Sequence, residues 1–207
     1  MSIRPKFLTF TPANASLTGF ASNVTGATWT LTTTETSDGL AHQVSIKNDT
    51  ATDHSGKTVV LVGTDADGRA QTETISLPAG SATVESTYYY KTLTSATPSA
   101  TIGADTMDIG WVDEFVTQTI PFNWRGERAT IQIEVTGTIN YTAQYTMNDI
   151  QRDTPPFTWH DSNDPNVVAV AVDGASNYDC SVMATRVKVN SYSSGATLKY
   201  IISQMDN

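Results

Sequence analysis

Threonine is the residue that most constrains the fold of this chain, because it recurs in short alternating runs. Thirty-four of the 207 residues are threonine, and the runs 129–135 and 140–147 intersperse polar with apolar side chains. A β-branched side chain restricts χ1 in a way that suits extended backbone, and a period of two places successive side chains on opposite faces of a strand. The pattern predicts β-sheets whose outward faces are rich in threonine hydroxyls.

The composition is that of a folded chain. Hydrophobic residues make up 39% and aromatic residues 9%, which is enough to build a core, whereas charged residues make up only 16%. An average soluble domain has about 25% charged residues, and disordered segments are usually rich in charge. Threonine, serine, asparagine and glutamine therefore carry the polar surface, and we expect an ordered protein.

The spacing of the strand-like runs predicts an all-β fold. No window of ten residues shows the apolar stripe of an amphipathic helix, and strands recur about every 8–12 residues, as in sandwiches and jelly rolls. We predict an antiparallel, jelly-roll-like β-sandwich that comprises an N-terminal arm (1–26), a first β lobe (27–113) and a second β lobe (114–207). One continuous sandwich with an inserted hairpin unit is the alternative.

Local patterns predict individual elements. Residues 27–32 alternate and predict a strand, and residues 57–63 and 71–75 flank a turn, which indicates a hairpin. The apolar run 167–172 predicts a buried strand. Two further pairs of adjacent strands are predicted, 128–136 with 139–147 and 181–189 with 196–203.

The acidic balance of the chain argues against nucleic-acid binding. Twelve Lys and Arg residues stand against 21 Asp and Glu, and the basic residues form no cluster, so the chain has no general attraction to phosphates. The single cysteine, Cys180, cannot form an internal disulfide, and residues 1–10 lack the apolar core of a signal peptide, so we expect synthesis in a reducing cytoplasm. No stretch approaches the roughly 20 apolar residues of a membrane helix, so no membrane partner is predicted.

Two segments that resemble ligand-binding motifs are incomplete. Residues 55–58 end like a phosphate-binding loop, but position 51 is alanine where that motif needs glycine. Residues 65–68 begin like a calcium loop, but its closing glutamate would fall at Ser76. We predict turns at both places, with a weak calcium site at 65–68 as the alternative.

No spacing of residues indicates a catalytic or metal-binding site. His42, His54 and His160 are isolated in the sequence, whereas zinc sites group His and Cys at short spacing, although folding could bring the histidines together. Gly-x-Ser-x-Gly is absent. Asp105 and Asp164 are among the carboxylates that could act on a sugar only as a pair across a cleft, and a sequence does not define that separation. We predict a non-enzymatic protein with no cofactor and no metal.

Aromatic side chains are the candidates for contact with partners, because aromatic residues are enriched at interfaces and also stack on sugars. Trp159 is the strongest of them, since it lies in the polar, proline-rich segment 150–166, which is typical of an exposed loop. Core packing is the alternative for each. The candidate interface residues are Phe7, Phe10, Tyr88, Tyr90, Trp124 and Trp159.

Two parts of the chain resemble recurrent segments of tailed-bacteriophage virion proteins. The first part has GTDADG at 63–68 and QTETI at 71–75, followed by YKTLTS at 90–95 and DIGW at 108–111. The second part has NYTAQYT at 140–146, TW at 158–159, ATRV at 184–187 and SYSSG at 191–195. Together they span most of the chain from about residue 27 onward.

The resemblance implies a structural protein of the virion, made in the host bacterial cytoplasm, with no catalytic residues to carry over. One implied role is a capsid decoration (cement) protein that docks as a dimer or trimer on the major capsid protein. A head–tail connector or tail component that forms a ring is the alternative. A third interpretation, from the aromatic residues and carboxylates, is a carbohydrate-binding β-sandwich for attachment to host surfaces.

Overall fold

The regular structure of the chain is almost entirely β-strand. The computed structural model describes residues 5–122, 128–178 and 182–204. The elements in these residues are β1 (Lys6–Phe10), β2 (Ser16–Val24), β3 (Ala41–Asn48), β4 (Thr58–Thr64), β5 (Ala70–Ser76), β6 (Thr83–Tyr90), β7 (Thr92–Pro98), β8 (Met107–Val116), β9 (Ile120–Pro121), β10 (Ala129–Thr136), β11 (Ile139–Thr146), β12 (His160–Asp161), the short 3₁₀ turn η1 (Pro165–Val167), β13 (Gly174–Tyr178), β14 (Ala184–Tyr192) and β15 (Thr197–Gln204). The predicted all-β fold is confirmed. In the residues described, no helix is both long and apolar enough to cross a membrane.

The chain forms two compact units. One unit, called the inserted unit, is Asn14–Phe115. The other unit, called the split unit, combines Met1–Ala13 with Val116–Asn207. Each unit contains strands from two sheets, and the strand pairs described below are antiparallel.

In the inserted unit, two sets of strands surround one core. In the first, β3 lies between β6 and β8, and β2 adds to β8; in the second, β4 lies between β5 and β7. β4 and β5 pair in continuous register, and Oδ1 of Asp65 closes their turn by accepting hydrogen bonds from the backbone N–H groups of Asp67 and Arg69, each at 2.9 Å. The predicted hairpin of residues 57–63 and 71–75 is therefore confirmed.

The core of the inserted unit is aliphatic and aromatic. Trp111 packs edge-on against Phe20, with ring centroids 5.2 Å apart and an angle of 72° between the ring planes. Burial of one large apolar side chain stabilises a fold by about 1.5–3 kcal/mol, so this cluster is the main source of stability of the unit. Its largest fully buried members are Phe20, Ile46, Leu61, Leu77, Tyr90, Leu93, Met107 and Ile109.

The split unit is a two-layer sandwich. One sheet has the order β1-β15-β10-β13; in the other, β11 lies between β12 and β14, and β9 pairs with β14. The layers meet in the core, where the hydroxyl of Tyr200 on β15 lies 2.7 Å from Oγ1 of Thr185 on β14. Because the threonine gives its only hydroxyl proton to the carbonyl of Gln144 at 2.8 Å, Tyr200 is the donor in this contact between sheets.

The positions of four strands in the second half, β10, β11, β14 and β15, agree with the sequence analysis, but their pairing does not. Residues 128–136 and 139–147 contain β10 and β11, yet β10 pairs with β13 and β15, whereas β11 pairs with β12 and β14. The predicted pairing of 181–189 with 196–203 is also wrong, because β14 and β15 belong to different sheets. Turn residues indicate that a chain reverses, but not whether the next strand pairs with the last one or crosses to the opposite layer.

Two predicted strands are not strands in the structure. Residues 27–32 are irregular, although Trp29 is only 8% exposed and packs in the core of the inserted unit. Residues 167–172 are also irregular apart from η1 and an isolated bridge at Val170, and Val172 is 65% exposed. The predictions were wrong because an apolar pattern reports which side chains can be buried, not which backbone groups pair.

The segment 1–26, predicted to be a loose arm, contributes paired strands to both units in its described residues. β1 pairs along its whole length with β15 in the split unit. β2 carries Phe20 and Val24 into the core of the inserted unit. Loss of this segment would therefore remove buried side chains, while the division into an arm and two independently folding lobes stays a prediction.

Candidate functional site

Among the described strands, β1 forms an open edge of the split unit. β1 is the outermost strand of its sheet and pairs with β15, from Lys6 opposite Ile202 to Phe10 opposite Leu198. The outer side of an edge strand presents backbone N–H and C=O groups to which a strand of another chain can add. This position makes β1 a candidate for contact with a partner.

Side chains of β1 alternate between the core and the outer face of the sheet. Phe10 is half-buried and lies opposite Leu198, which is fully buried, so Phe10 helps to cover the core. Phe7 lies on the other face opposite Ile201, and it is 66% exposed. The structure thus places these two predicted interface residues on one strand but on opposite faces, and only Phe7 presents most of its ring to solvent.

The outer face beyond Phe7 is polar. In register with Phe7 and Ile201, the same row of side chains continues through Gln132 on β10 to Ala175 on β13. Both Gln132 and Ala175 are exposed. Phe7 and Ile201 therefore form a small apolar corner at the edge of a hydrogen-bonding surface.

The alternating run on β10 explains why this face is polar. Ile131 and Ile133 are fully buried, whereas Thr130 and Gln132, which alternate with them, are exposed. Thr130 Oγ1 donates a hydrogen bond of 2.7 Å to Asn177 Oδ1 across the face. The prediction that threonine lies on the outward face of a sheet is confirmed for this strand.

One ion pair of opposite charges lies on the outer face. Lys199 Nζ lies 2.9 Å from Glu134 Oε2, and the two side chains are 41% and 37% exposed. An ion pair this exposed contributes about 0–1 kcal/mol to stability because solvent screens it. The pair still matters for docking, since its two opposite charges offset each other on this face.

The other aromatic candidates differ in burial. Tyr90 is completely buried in the inserted unit, where burial raises the pKa of its hydroxyl, and we leave it out of the proposed interface. Tyr88 is half-buried and packs against the same core. Trp159 is half-buried in the split unit, and the Arg186 guanidinium lies 4.2 Å from its ring centroid. Trp124 lies outside the described residues.

His42 is a buried structural residue. Its Nδ1 lies 2.9 Å from the carbonyl oxygen of Val112, and its Nε2 lies 2.9 Å from Oδ2 of Asp38. Both partners are hydrogen-bond acceptors, so both ring nitrogens of His42 are engaged within the fold. No nitrogen lone pair is left for a metal in this arrangement.

His54 contacts a hydrogen-bond donor at one ring nitrogen and an acceptor at the other. Lys57 Nζ donates to His54 Nδ1 at 3.0 Å, while His54 Nε2 lies 2.9 Å from Asp105 Oδ2. This arrangement requires a neutral ring with its proton on Nε2. Lys57, the lysine of the phosphate-loop-like segment 55–58, also donates to the carbonyl of Thr101 at 2.7 Å, so it has a structural role there.

In the turn that resembles a calcium loop, the aspartate carboxylates pair with an arginine of the same turn. Arg69 Nη1 lies 2.6 Å from Asp67 Oδ2 and 3.6 Å from Asp65 Oδ2. Burial raises the pKa of Asp65. Among the described residues, no group of three or more His, Cys, Asp or Glu side chains is placed to hold a metal ion.

Three exposed apolar side chains were missed by the sequence analysis. Leu17 is 41% exposed on β2, Met147 is 58% exposed after β11, and Val172 is 65% exposed before β13. The polar turn residues that follow Met147 and Val172 in the sequence are a signal that could have identified these two. Val172 had been assigned to a buried strand, which concealed it.

Comparison with known proteins gives no family assignment. No protein-family model matches the chain, and no curated protein matches it. Among solved structures, the chain is similar to the major capsid protein P2 of bacteriophage PM2 over 97% of each chain, with 11% sequence identity and a TM-score of 0.22. Neither the identity nor the TM-score is high enough to support an inference about fold or function.

Proposed function

We propose that the protein is a non-enzymatic structural component of a bacteriophage virion. Its specific role in this proposal is that of a capsid decoration protein, which docks on the major capsid protein and stabilises the shell. The docking surface is the outer face of the β1-β15-β10-β13 sheet together with its open β1 edge. The resemblance of segments 63–111 and 140–195 to virion proteins supports the virion role.

The observation that carries the proposal is the exposure of Phe7 at an open sheet edge. Complete burial of a phenylalanine side chain stabilises by about 1.5–3 kcal/mol relative to full exposure. Because Phe7 is 66% exposed, a partner that covers it gains about 1–2 kcal/mol per contact. The alternative for Phe7 is a tolerated surface residue, since single exposed apolar side chains are common.

The polar remainder of the face suits a repeated contact. Specific interfaces bury roughly 1,200–2,000 Å², most of which must come from Thr130, Gln132 and their neighbours and not from one ring. Shell symmetry repeats every such contact in each copy, so a modest affinity per subunit is sufficient. Dimers or trimers at symmetry axes fit this role. A head–tail connector or tail component would instead close into a ring.

Copy number in purified particles tests the proposal. Quantitative mass spectrometry of virions from the phage that carries this sequence should find the chain in hundreds of copies, against about six or twelve for a ring component. A ring-like copy number would favour the connector or tail alternative. Absence from particles would contradict the virion role altogether.

Substitution at the edge tests the docking surface. We expect Phe7→Ser to lower incorporation into particles about five- to thirtyfold, which corresponds to the loss of about 1–2 kcal/mol. Leu17→Ser is the matched control, because Leu17 is also an exposed apolar residue on a strand, but in the inserted unit. Equal incorporation of both variants, with circular dichroism unchanged, would show that the β1 edge is not the docking surface.

A further inference from the structure

A cleft with a volume of about 480 Å³ opens on the split unit, away from the Phe7 corner. It lies beside β13, an edge strand of one sheet, and beside β11 and the segment that follows β12 at the edge of the other. Its volume is within the roughly 300–1,000 Å³ that is usual for small-molecule sites. The described lining residues are two tyrosines, two serines, two asparagines and one aspartate.

The apolar part of the cleft is a pair of fixed aromatic rings. Tyr145 on β11 and Tyr178 on β13 pack edge to face, with centroids 5.9 Å apart and an angle of 63° between the ring planes. His160 lies directly opposite Tyr145 in the strand register, with ring centroids 5.6 Å apart. Tyr145 is half-buried, and its hydroxyl makes no hydrogen bond to any described residue. Its ring is therefore held in place while its polar end stays available.

The lining also contains a fixed carboxylate. Asp164 Oδ1 accepts hydrogen bonds from the backbone N–H of Asn166 at 3.0 Å and from its side-chain amide at 2.9 Å. These bonds, together with one from Ser176, lower the pKa of Asp164. Ser162 Oγ accepts from the backbone N–H of Asp164 at 3.2 Å. The carboxylate is thus oriented before any ligand arrives.

Two amide side chains complete the polar lining. Asn177 is exposed, and because its Oδ1 accepts from Thr130 at 2.7 Å, its amide group has two N–H donors left. Asn163 is also exposed, and its side chain makes no hydrogen bond to any described residue. The cleft therefore offers donors and acceptors side by side, as a vicinal diol requires.

We propose that this cleft binds a neutral saccharide, with one pyranose ring against Tyr145 and its hydroxyl groups bonded to Asn163, Asn177 and Asp164. The C–H face of a pyranose packs well on an aromatic ring, and its hydroxyls need both donors and acceptors. An anionic sugar is disfavoured, because the carboxylate of Asp164 would repel it and no lysine or arginine is among the described lining residues. Asp164 is the one carboxylate in that lining, whereas glycoside hydrolysis uses a pair, so the proposal is for binding and not cleavage.

This site is independent of the proposed virion role, and the two can fail separately. A protein that never enters a particle could still bind sugar here, and a decoration protein could dock through β1 with this cleft empty. The tests therefore use different readouts: incorporation into particles for the β1 edge, and ligand binding by the isolated full chain for the cleft.

Saturation-transfer NMR with a defined panel tests the proposal. The panel comprises the methyl pyranosides of glucose, galactose, mannose and N-acetylglucosamine, with the methyl glycoside of sialic acid as the anionic comparison. We expect transfer to at least one neutral glycoside and weaker or no transfer to the sialoside. Absence of transfer to every neutral glycoside at millimolar concentration, or a preference for the sialoside, would overturn the proposal.

Variants then connect the binding to this cleft. Asn163→Ala and Asn177→Ala should each weaken the affinity about two- to tenfold, the usual effect of losing one hydrogen bond. Asn163 makes no internal bond that its substitution would break, so its variant should fold normally. Asn14→Ala is the matched control, since Asn14 is an exposed asparagine in the inserted unit. Wild-type affinity in the double variant of Asn163 and Asn177 would place any bound sugar elsewhere and refute the proposed site.

Discussion

The hydroxyl chain between the two sheets of the split unit provides a quantitative test of the fold. Tyr200 donates to Thr185 at 2.7 Å, and Thr185 donates to the carbonyl of Gln144 at 2.8 Å. Tyr200 and Thr185 are both fully buried, and burial raises the pKa of the tyrosine hydroxyl well above its usual value. The tyrosine therefore remains a neutral donor at neutral pH, and the two hydrogen bonds run in one direction, from Tyr200 through Thr185 to Gln144.

Because of that direction, we expect the two single substitutions to lower the free energy of unfolding by different amounts. Tyr200→Phe removes a donor but leaves Thr185 still bonded to Gln144, so we expect a loss of about 0.5–1.5 kcal/mol. Thr185→Val leaves the Tyr200 hydroxyl buried without its acceptor and also removes a donor from the Gln144 carbonyl. An unsatisfied buried group costs about 1–3 kcal/mol and a lost hydrogen bond about 1 kcal/mol, so we expect a loss of about 2–4 kcal/mol.

The double variant should cost less than the sum of the two single variants. With Tyr200→Phe and Thr185→Val together, no tyrosine hydroxyl is left to bury, so the loss should be about 1–2 kcal/mol smaller than the sum. Urea unfolding measures the three free-energy changes. Because the chain has two compact units, amide exchange of β10 and β15 should accompany it, since these strands report on the split unit alone. Equal losses of unfolding free energy for the two single variants, or strict additivity in the double variant, would refute the assigned direction of these two hydrogen bonds.

Three further predictions concern other parts of the structure. Trp159→Ala should lower the melting temperature only slightly, because the ring lies outside the buried cores; a large fall in melting temperature would contradict this. Ring ¹⁵N NMR should show that Nδ1 of His54 accepts a hydrogen bond from Lys57 while Nε2 carries the proton directed at Asp105, and the opposite tautomer would refute the hydrogen-bond assignment. Hydrogen bonds from Thr52 and His54 lower the pKa of Asp105 below its ordinary value of about 3.8. The carboxylate therefore stabilises the fold above pH 3.8, and this stabilisation is lost as the pH falls through the lower pKa of the folded state. Asp105→Asn should make the free energy of unfolding less dependent on pH in this acid range, and an unchanged dependence would argue against this role.

Local regularities of the chain were predictable because neighbouring residues determine them. The alternation in 129–135 correctly indicated which side chains of β10 are buried, since a strand places successive residues on opposite faces. The hairpin at 65–68 was predictable because Asp65 and Gly68 satisfy the turn through groups within a few residues. Pairing between distant strands has no such local cause, which is why the partners of β10 and β14 were wrong.

The same limit explains which parts of the candidate sites were found. Phe7 and Phe10 have similar sequence surroundings, and their different exposure follows from the register of β1 against β15, which is almost the full chain length away. The saccharide cleft depends even more on distant contacts, because Tyr145, Asn163 and Asn177 come from three separate segments that meet only when both sheets of the split unit have formed. No short motif can encode such a site, since each segment alone has the composition of an ordinary polar strand end. For this chain, the residues available to a partner follow from the pairing of the sheets, and a surface inferred from aromatic residues alone would include Tyr90, which the fold buries completely.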